Sequence, residues 1–336
     1  MPRVSVLMPV RDAARTVHAA AASILRQTER DLALVCVDDG STDETPAVLA
    51  RLAERDRRVT IVRGPGEGIA KALGRGLARC DAEVVARMDG DDVAHPARIA
   101  RQRAALEADP SLAAVGSAVT LFPRREVRDG MRRYAAWLNA LTTPELVRRD
   151  LFVEAPLVHP AAAIRRRALE VVGGWRDGPF PEDYDLWLRL TDARGALSLS
   201  NVPAPLLAWR ESTGRLTRTD PRYALVRHVA LKCAWLARGF LAGRREVALW
   251  GAGETGRAFA DALGREGIAV ALFVEVDRKK IGRSVRGAPV ISYEAVGRAR
   301  GLPLLVAVGA PGARELIRAE LGRAGFREVE EYRCVA

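Results

Sequence analysis

About the first hundred residues alternate short apolar runs with longer segments of helical periodicity, and no other feature constrains the fold as strongly. Val4–Met8 is rich in apolar residues, and segment 13–27 places its apolar residues three or four positions apart. Further apolar runs follow at 32–37, 59–62 and 83–88. Short strands that alternate with amphipathic helices are typical of βαβ units and a parallel sheet. The sequence therefore predicts an α/β fold.

Acidic residues follow the second and the fourth predicted strand. Segment 38–43 reads Asp-Asp-Gly-Ser-Thr-Asp, and segment 89–92 reads Asp-Gly-Asp-Asp. Because the carboxyl ends of parallel strands meet at one rim of a sheet, we expect several of these carboxylates to lie close together. Mg²⁺ or Mn²⁺ would offset their repulsion, since both cations take oxygen ligands. We therefore favour a site role for Asp39, Asp89 and Asp91 over the alternative that they only form turns and caps.

Four motifs, in order, resemble those of family 2 glycosyltransferases with the GT-A fold. They lie at 4–10 (Val-Ser-Val-Leu-Met-Pro-Val), 37–43, 87–92 and 182–189 (Glu-Asp-Tyr-Asp-Leu-Trp-Leu-Arg). The resemblance extends over about residues 3–215. It implies a nucleotide-diphospho-sugar transferase fold and an inverting, metal-assisted transfer of a sugar, typically from a UDP-linked donor, to a hydroxyl. Glycan or polysaccharide, lipid-linked and protein acceptors stay open.

The resemblance also implies a role for each matching residue. Asp39 would accept a hydrogen bond from the uracil imide, and Asp91 with Asp89 would bind Mn²⁺ or Mg²⁺ on the diphosphate. Asp183 would be the base on the acceptor hydroxyl, and Glu182 would position the acceptor, because an inverting transfer needs a base and a stabilised leaving group. The residues expected to contact the nucleotide sugar are Pro9, Val10, Asp12, Asp39, Lys71, Asp89 and Gly90.

Three places depart from the family pattern. Arg11 and Asp12 replace an aromatic residue and an asparagine, Gly74 replaces an asparagine, and Ser212 replaces the histidine that ends the last motif. Stacking on the base is therefore not expected after the first strand, and a metal ligand at 212 is missing or replaced. Lys71 either meets the phosphates or lies on a solvated helix face.

Two aromatic residues are predicted to line the acceptor cleft. His159 belongs to a His-Pro pair that recurs in the family, and Trp187 belongs to the fourth motif. For His159 a second interpretation stays open, in which the imidazole is half-buried and hydrogen-bonded without contacting the acceptor.

A second α/β unit begins near residue 245. Val247–Trp250 reads as a strand, and a Gly-x-Gly-x-x-Gly sequence follows it at the start of a helical segment. The next strand ends about twenty residues on at Glu275, where an acid would meet a ribose hydroxyl. This pattern predicts a small Rossmann-like domain. Binding of a dinucleotide, nucleotide or sugar nucleotide stays open beside a purely structural or assembly role. The residues that would bind a dinucleotide are Gly251, Gly253, Gly256 and Asp277.

The predicted organisation is a GT-A domain over 1–215, an amphipathic linker helix over 216–244 and a Rossmann-like domain over 245–336. The apolar stripe along 223–241 either packs on a domain or lies on a membrane surface. No apolar stretch reaches the length of a membrane-spanning helix. We expect a cytoplasmic protein, either free or in peripheral contact with the inner face of the membrane.

The net charge of +11 comes from arginines scattered along the chain. Without an aromatic-interleaved basic motif, it does not predict nucleic-acid binding. Two rival functions stay open. A nucleotidyltransferase also has an acidic α/β rim, but segment 9–12 lacks the Gly-rich basic loop that it would need. A sensor that only binds a nucleotide sugar or dinucleotide fits Gly74 and Ser212, although an intact Asp183 argues against it.

Overall fold

The computed structural model of the chain describes residues 2–192 and 198–336. It forms two compact units. The first unit comprises residues up to 148 together with 156–178 and 182–219, and the second comprises 149–155, 179–181 and 220–336. The second unit is therefore assembled from three segments of the chain. The limits predicted at 215 and 244 stay predictions beside this division.

The first unit alternates strands and helices from its first residues onward. Its strands are β1 (Val4–Val10), β2 (Leu32–Asp39), β3 (Val59–Gly64), β4 (Val84–Arg87), β5 (Val93–Ala94), β6 (Leu112–Phe122), β7 (Ala163–Arg165) and β8 (Ser198–Arg210). Its helices are α1 (Val17–Leu25), α2 (Thr45–Arg55), α3 (Ile69–Leu77), α4 (Arg98–Ala108), α5 (Asp129–Ala140), α6 (Pro144–Asp150, which runs into the second unit), α7 (Arg166–Val172), α8 (Glu182–Asp192) and α9 (Leu216–Thr219).

The eight strands form one sheet in the order β3-β2-β1-β4-β7-β6-β8-β5. The strands β3, β2, β1 and β4 are parallel neighbours, whereas β7 is antiparallel to both β4 and β6. Val10, Asp39 and Arg87 therefore end at one rim of the sheet, and segment 89–92 continues from it. Helix α1 buries its apolar face along its length, and Val17 on that face is fully buried. The α/β prediction is confirmed.

The second unit has a smaller sheet of its own. Its elements are α10 (Leu225–Arg238), β9 (Glu246–Trp250), α11 (Glu254–Arg265), β10 (Ala269–Glu275), β11 (Ser284–Val285), β12 (Ala288–Ser292), β13 (Leu304–Val306), α12 (Ala313–Arg323) and β14 (Tyr332–Cys334). The strand order is β11-β12-β10-β9-β13-β14, with all pairs parallel except β11–β12. Without the short β11, this is the 3-2-1-4-5 order of a doubly wound sheet.

Helix α10 packs against α11 through most of its apolar stripe. Val229, Cys233 and Leu236 are buried, whereas Leu225 and Val226 in the first turn are exposed. The larger part of this apolar stripe therefore packs on a domain, which is one of the two alternatives predicted for it. Among the helices of the described residues, none combines the length and the apolar character needed to cross a bilayer.

Segment 149–155 joins the second unit through two buried charged groups. The ammonium of Lys232 donates hydrogen bonds to the carbonyl oxygens of Val153 (2.8 Å) and Val335 (3.1 Å). Asp150 is buried and forms an ion pair with Arg318. Burial lowers the pKa of Lys232, so its carbonyl partners matter for keeping the charge there.

Candidate active site

The carboxylate of Asp39 organises the loop between β3 and α3. Its Oδ1 accepts hydrogen bonds from the backbone N–H groups of Gly66 (3.2 Å) and Glu67 (3.1 Å), and its Oδ2 accepts one from Gly68 (2.7 Å). A Cβ on Gly64 would lie 2.9 Å from Oδ1, so glycine allows the buried carboxylate to approach β3. Since a carboxylate has about four acceptor positions, roughly one remains for a ligand.

Three carboxylates crowd the loop that follows β4. Oxygens of Asp89, Asp91 and Asp92 lie within 4.8 Å of one another. Burial, followed by the charge of Asp89, raises the pKa of Asp91 to about 6. Burial and the charges of Asp89 and Asp91 raise the pKa of Asp92 well above its usual range. The buried Oδ2 of Asp92 has no hydrogen-bond partner in the part of the chain that the structure describes.

These oxygens fit a hard divalent cation. Mg²⁺ and Mn²⁺ take carboxylate oxygens, and a bound cation would offset both the burial and the repulsion that raise the two pKa values. The predicted ligands Asp89 and Asp91 thus lie together with Asp92, which was not predicted as a metal ligand. The sequence signal that could have identified Asp92 as a third ligand is its position next to Asp91.

Two buried arginines support the acidic loop from within the unit. Arg87 forms an ion pair with Asp89 (2.7 Å) and also donates to the carbonyl of Met88. Arg98 donates to the carbonyl of Arg87 (2.5 Å) and to Gln102 Oε1 (3.0 Å). Burial lowers the pKa of Arg98 to about 10, while the charge of the nearby acids opposes that shift. No local sequence pattern indicates this pair, because charged residues in a strand and a helix usually face solvent.

The end of β8 closes on the same loop. The backbone N–H of Arg210 donates to Asp92 Oδ1 (2.7 Å), and its Nε donates to the carbonyl of Asp91 (2.7 Å). The guanidinium also lies over the ring of Phe122, 4.4 Å from the ring centroid. Arg210 therefore fixes the backbone of the acidic loop rather than presenting a free charge.

Beyond Arg210, a buried glutamate holds two further arginines. Glu211 is 1% exposed and pairs with Arg215 (3.1 Å) and with Arg218. The guanidinium of Arg215 lies 4.2 Å from the centroid of the Trp209 ring. Ser212, at the position expected for histidine, accepts a hydrogen bond from Arg218 through its carbonyl.

Asp183 lies in the first turn of α8, where its Oδ1 accepts a hydrogen bond from the backbone N–H of Tyr184 (2.8 Å). The neighbouring Glu182 is buried, with Oε1 3.8 Å from Nδ1 of His159. The indole N–H of Trp175 donates to Nε2 of His159 (2.9 Å), which assigns the imidazole proton to Nδ1, on the side of Glu182. Burial, with the charge of Arg87, lowers the pKa of His159 well below its usual range.

The two residues predicted to line the acceptor cleft are both buried. Trp187 is fully buried, and its ring meets that of His159 edge-on at 6.1 Å. The hydrogen bond from Trp175 fits the second interpretation of His159, but the imidazole is buried and not half-buried as that interpretation expected. The cleft role of both residues stays a prediction.

Residues at the end of β1 complete the rim. Pro9 and Val10 are buried, and a Cβ on Gly90 would lie 2.6 Å from Cγ1 of Val10. Glycine at 90 therefore lets the acidic loop pack directly on β1. Asp12 has a positive φ of 48°, and its Oδ1 accepts from the backbone N–H of Thr42 (2.7 Å), which ties the loop after β1 to the one after β2.

On α3, the predicted phosphate contact Lys71 is half-exposed, and its Nζ lies 3.4 Å from Glu67 Oε1. Gly74, where the family has asparagine, is exposed on the same helix. Both interpretations of Lys71 therefore stay open.

In the second unit the acid that meets the glycine loop is Glu275. Its Oε2 accepts from the backbone N–H of Ala252 (3.0 Å), and its Oε1 accepts from Val276 (2.9 Å) and Asp277 (3.2 Å). Burial acts to raise the pKa of Glu275, but these hydrogen bonds and one from Lys280 outweigh it and lower the pKa. Asp277 itself faces the backbone of 279 and the ammonium of Lys280.

The glycines of that loop differ in their surroundings. A Cβ on Gly256 would lie 1.8 Å from the carbonyl oxygen of Gly251, so glycine there is required by the close approach of α11 to the loop. Gly251 has a φ of 108°. A Cβ on Gly253, by contrast, would meet nothing within 4 Å among the described residues.

The chain is similar to known proteins in both sequence and structure. The family described as glycosyl transferase family 2 matches residues 5–173. The putative glycosyltransferase EpsE of Bacillus subtilis (strain 168) is 30% identical over 231 residues, which cover 67% of this chain and 78% of that protein. The amylovoran biosynthesis glycosyltransferase AmsE of Erwinia amylovora is 28% identical over 225 residues, covering 66% and 81%. The solved mannosyltransferase PcManGT from Pyrobaculum calidifontis, in complex with GDP-Man and Mn²⁺, has a TM-score of 0.53 at 21% identity, covering 79% of this chain and 69% of that one.

The parallel strands with an acidic rim, together with the likeness to the solved structure, show a fold of the GT-A type. The chain belongs to glycosyl transferase family 2. It is a glycosyltransferase that uses a nucleotide-sugar donor, and the family predicted from the four motifs is confirmed.

Proposed function

We propose that the protein transfers a sugar with inversion from a nucleotide-diphosphate sugar to a hydroxyl group in glycan or polysaccharide biosynthesis. The observation that carries this proposal is the group of three carboxylates within 4.8 Å at the rim where β1, β2 and β4 end. Asp91 and Asp89, joined by Asp92, would hold Mn²⁺ or Mg²⁺. When bound, that cation supplies positive charge to the leaving diphosphate.

Asp183 is proposed as the base. It takes the proton of the acceptor hydroxyl as that oxygen forms a bond to the anomeric carbon and the bond from that carbon to the diphosphate oxygen breaks on the opposite face. The position of Asp183 in the first turn of α8 supports this role, because acidic side chains are stabilised at the electropositive amino end of a helix. Glu182 and His159 stand behind this turn as buried neighbours and position it.

The nucleotide is proposed to lie across the end of β1 and the loop held by Asp39. The remaining acceptor capacity of Asp39 suits one imide N–H of uracil, and Pro9, Val10, Asp12, Lys71 and Gly90 border the same rim. UDP is the nucleotide that we propose. GDP is the matched alternative, because the mannosyltransferase above binds GDP-Man.

This function can be tested with the full chain. Thermal stabilisation by UDP- and GDP-sugars should require Mn²⁺ or Mg²⁺ and should disappear with a chelator, since ligands that bind only the folded state raise its stability. NMR of the product should show an inverted anomeric configuration. Failure of every nucleotide sugar to stabilise the protein in the presence of Mn²⁺ would count against the proposal.

For the acceptor we propose a glycan or lipid-linked hydroxyl ahead of a protein one. The exposed Leu225 and Val226 beside Arg227 support peripheral contact with the cytoplasmic face of a membrane, where apolar and basic residues bind together. Co-sedimentation with anionic vesicles should fall when both apolar residues are replaced by Ser, and unchanged binding would contradict this contact.

A second candidate function concerns the smaller unit, which we propose binds a dinucleotide at Gly251, Gly253 and Gly256 on the amino end of α11. The open space around Gly253 supports this proposal, because a pyrophosphate must approach the backbone there. Asp277 was the predicted ribose ligand, and the contact of Glu275 with the loop makes it a second candidate.

Two glycine variants test the dinucleotide site. Gly253→Ala should leave stability unchanged and weaken NAD⁺ binding, whereas Gly256→Ala should destabilise the unit. Absence of NAD⁺ and NADP⁺ binding by calorimetry in the unaltered protein would leave the structural role as the function of this unit.

A further inference from the structure

The segment that follows β8 contains an arginine, Arg215, that has no role in the proposed function described above. We propose that Arg215 binds the diphosphate of the donor through its guanidinium fork, next to the carboxylates of segment 89–92. This inference rests on the proposed nucleotide-diphosphate donor. It assigns to the site a positive group that belongs to the protein and is separate from the divalent cation.

The position of Arg215 is fixed on two sides. Its guanidinium lies 4.2 Å from the centroid of the Trp209 ring, and its Nη1 donates to Oε2 of the buried Glu211 (3.1 Å). The side chain is only 14% exposed, so most of it is withdrawn from solvent. An arginine held by a ring and by a carboxylate loses little further conformational entropy when it binds a ligand.

Arg215 also keeps most of its hydrogen-bonding capacity. A guanidinium has about five N–H donors. Within 2–192 and 198–336, the guanidinium of Arg215 makes a single hydrogen bond, the one to Glu211. By comparison, Arg210 is already committed to the carbonyl of Asp91, and Arg218 to Glu211 and the carbonyl of Ser212.

The end of β8 joins Arg215 to the proposed metal site. Trp209 and Arg210 are neighbours at the end of β8, and Arg210 contacts both Asp91 and Asp92. The guanidinium of Arg215 lies over the ring of Trp209. Arg215 is therefore held at the end of the strand that closes on the acidic loop.

The chemistry of the donor explains why a cation is useful there. A diphosphate leaving group gains negative charge during transfer, and a guanidinium binds phosphate oxygens in a bidentate manner. The serine at 212 removes the histidine that the family pattern expects. Arg215 supplies positive charge to the same end of the site without acting as a metal ligand.

The test compares Arg215→Gln with Arg218→Gln, since both arginines pair with Glu211. Calorimetry with Mn²⁺ would measure binding of UDP and of uridine, and of GDP and guanosine if these bind more tightly. We expect Arg215→Gln to weaken diphosphate binding about 10- to 100-fold and nucleoside binding less than about threefold. Arg218→Gln should leave the ratio of the two affinities unchanged.

Binding of Mn²⁺ alone separates this role from a structural one. Removing a positive charge near the carboxylates should leave Mn²⁺ affinity equal or higher, whereas a collapsed segment would lower it together with diphosphate affinity. Equal weakening of UDP and uridine in Arg215→Gln, or weakened Mn²⁺ binding, would overturn the assignment.

Arg215→Lys keeps the test decisive if the Gln variant does not fold. Lysine retains the charge but not the fork, so diphosphate affinity relative to nucleoside should fall about 3- to 10-fold. An unchanged ratio would overturn the inference. If the unaltered protein binds neither UDP nor GDP with Mn²⁺, the proposed function itself is wrong, and that result is distinct from a failure confined to the Arg215 variants.

Discussion

The two units use an acid in the same topological position and then diverge. Asp39 ends the second strand of the larger sheet, and Glu275 ends the second strand of the smaller one. Each accepts three hydrogen bonds from backbone N–H groups of nearby loops. Among the described residues, three crowded carboxylates follow a further parallel strand in the larger sheet alone. One of them is Asp91, whose pKa is raised, whereas the pKa of Glu275 is lowered.

This difference separates two uses of a buried acid. A carboxylate whose oxygens are satisfied by backbone donors holds a loop in place and needs no ligand. Carboxylates that repel one another and leave an oxygen such as Asp92 Oδ2 without a partner in the described chain are unstable as a set until a cation arrives. Substitutions of acids at the rim of the larger sheet are therefore predicted to change activity. Substitution of the acid at the rim of the smaller sheet is predicted to change stability.

The largest effect is expected at the proposed base. Asp183→Asn should lower the transfer rate by about 10²- to 10⁴-fold, because amide nitrogen cannot accept the proton of the acceptor hydroxyl. Nucleotide binding in the presence of Mn²⁺ should persist. Asp192→Asn, at the exposed end of the same helix, is the matched control and should transfer normally. Normal turnover by the Asp183 variant would refute its role.

A smaller loss is expected at the proposed metal site. Asp91→Ala should weaken Mn²⁺-dependent nucleotide binding by about 10- to 100-fold, because a carboxylate ligand of the cation that binds the diphosphate is lost. Titration calorimetry with and without Mn²⁺ measures the effect directly. If Mn²⁺ still strengthens nucleotide binding in the variant as much as in the unaltered protein, Asp91 is not a metal ligand. That result would also weaken the contrast with Glu275.

The pH dependence of metal binding sharpens the same contrast. Since the pKa of Asp91 is raised to about 6, a proton competes with the cation for this carboxylate at acid pH. Apparent Mn²⁺ affinity should therefore be nearly constant above pH 7 and fall about tenfold or more by pH 5. Asp43→Asn is the control, because that exposed acid has a lowered pKa and should not alter the profile. A flat profile would contradict the raised pKa.

The smallest effect on transfer is expected from the acid of the second unit. Glu275→Gln should destabilise the glycine loop by about 1–3 kcal/mol, because one oxygen that accepts backbone hydrogen bonds is replaced by a donor. Hydrogen exchange at the Ala252 amide would report this loss, while transfer should change less than about twofold. In the control variant Asp277→Asn, the Ala252 amide should exchange as fast as it does in the unaltered protein. A large loss of transfer in Glu275→Gln would break the division between the rims.

The sequence was informative wherever a local pattern decides the structure. The apolar runs predicted the alternating strands, and acids at the ends of neighbouring parallel strands predicted that Asp89 and Asp91 would meet. Arg87 and Arg98 could not be found this way, because nothing local distinguishes a buried arginine from an exposed one. Their burial depends on carbonyl and carboxylate partners that folding brings together.

The insertion of 149–155 into the second unit escapes sequence reading for the same reason, and it has a practical consequence. Lys232 and Arg318, which bind this segment, lie far downstream of it. A shortened protein that stops at residue 215 would keep Asp150 and the carbonyl of Val153 but would lose Arg318 and Lys232, which donate to them. Because the second unit contains three separate segments of the chain, a fusion or expression plan based on a single cut would divide one of the two units.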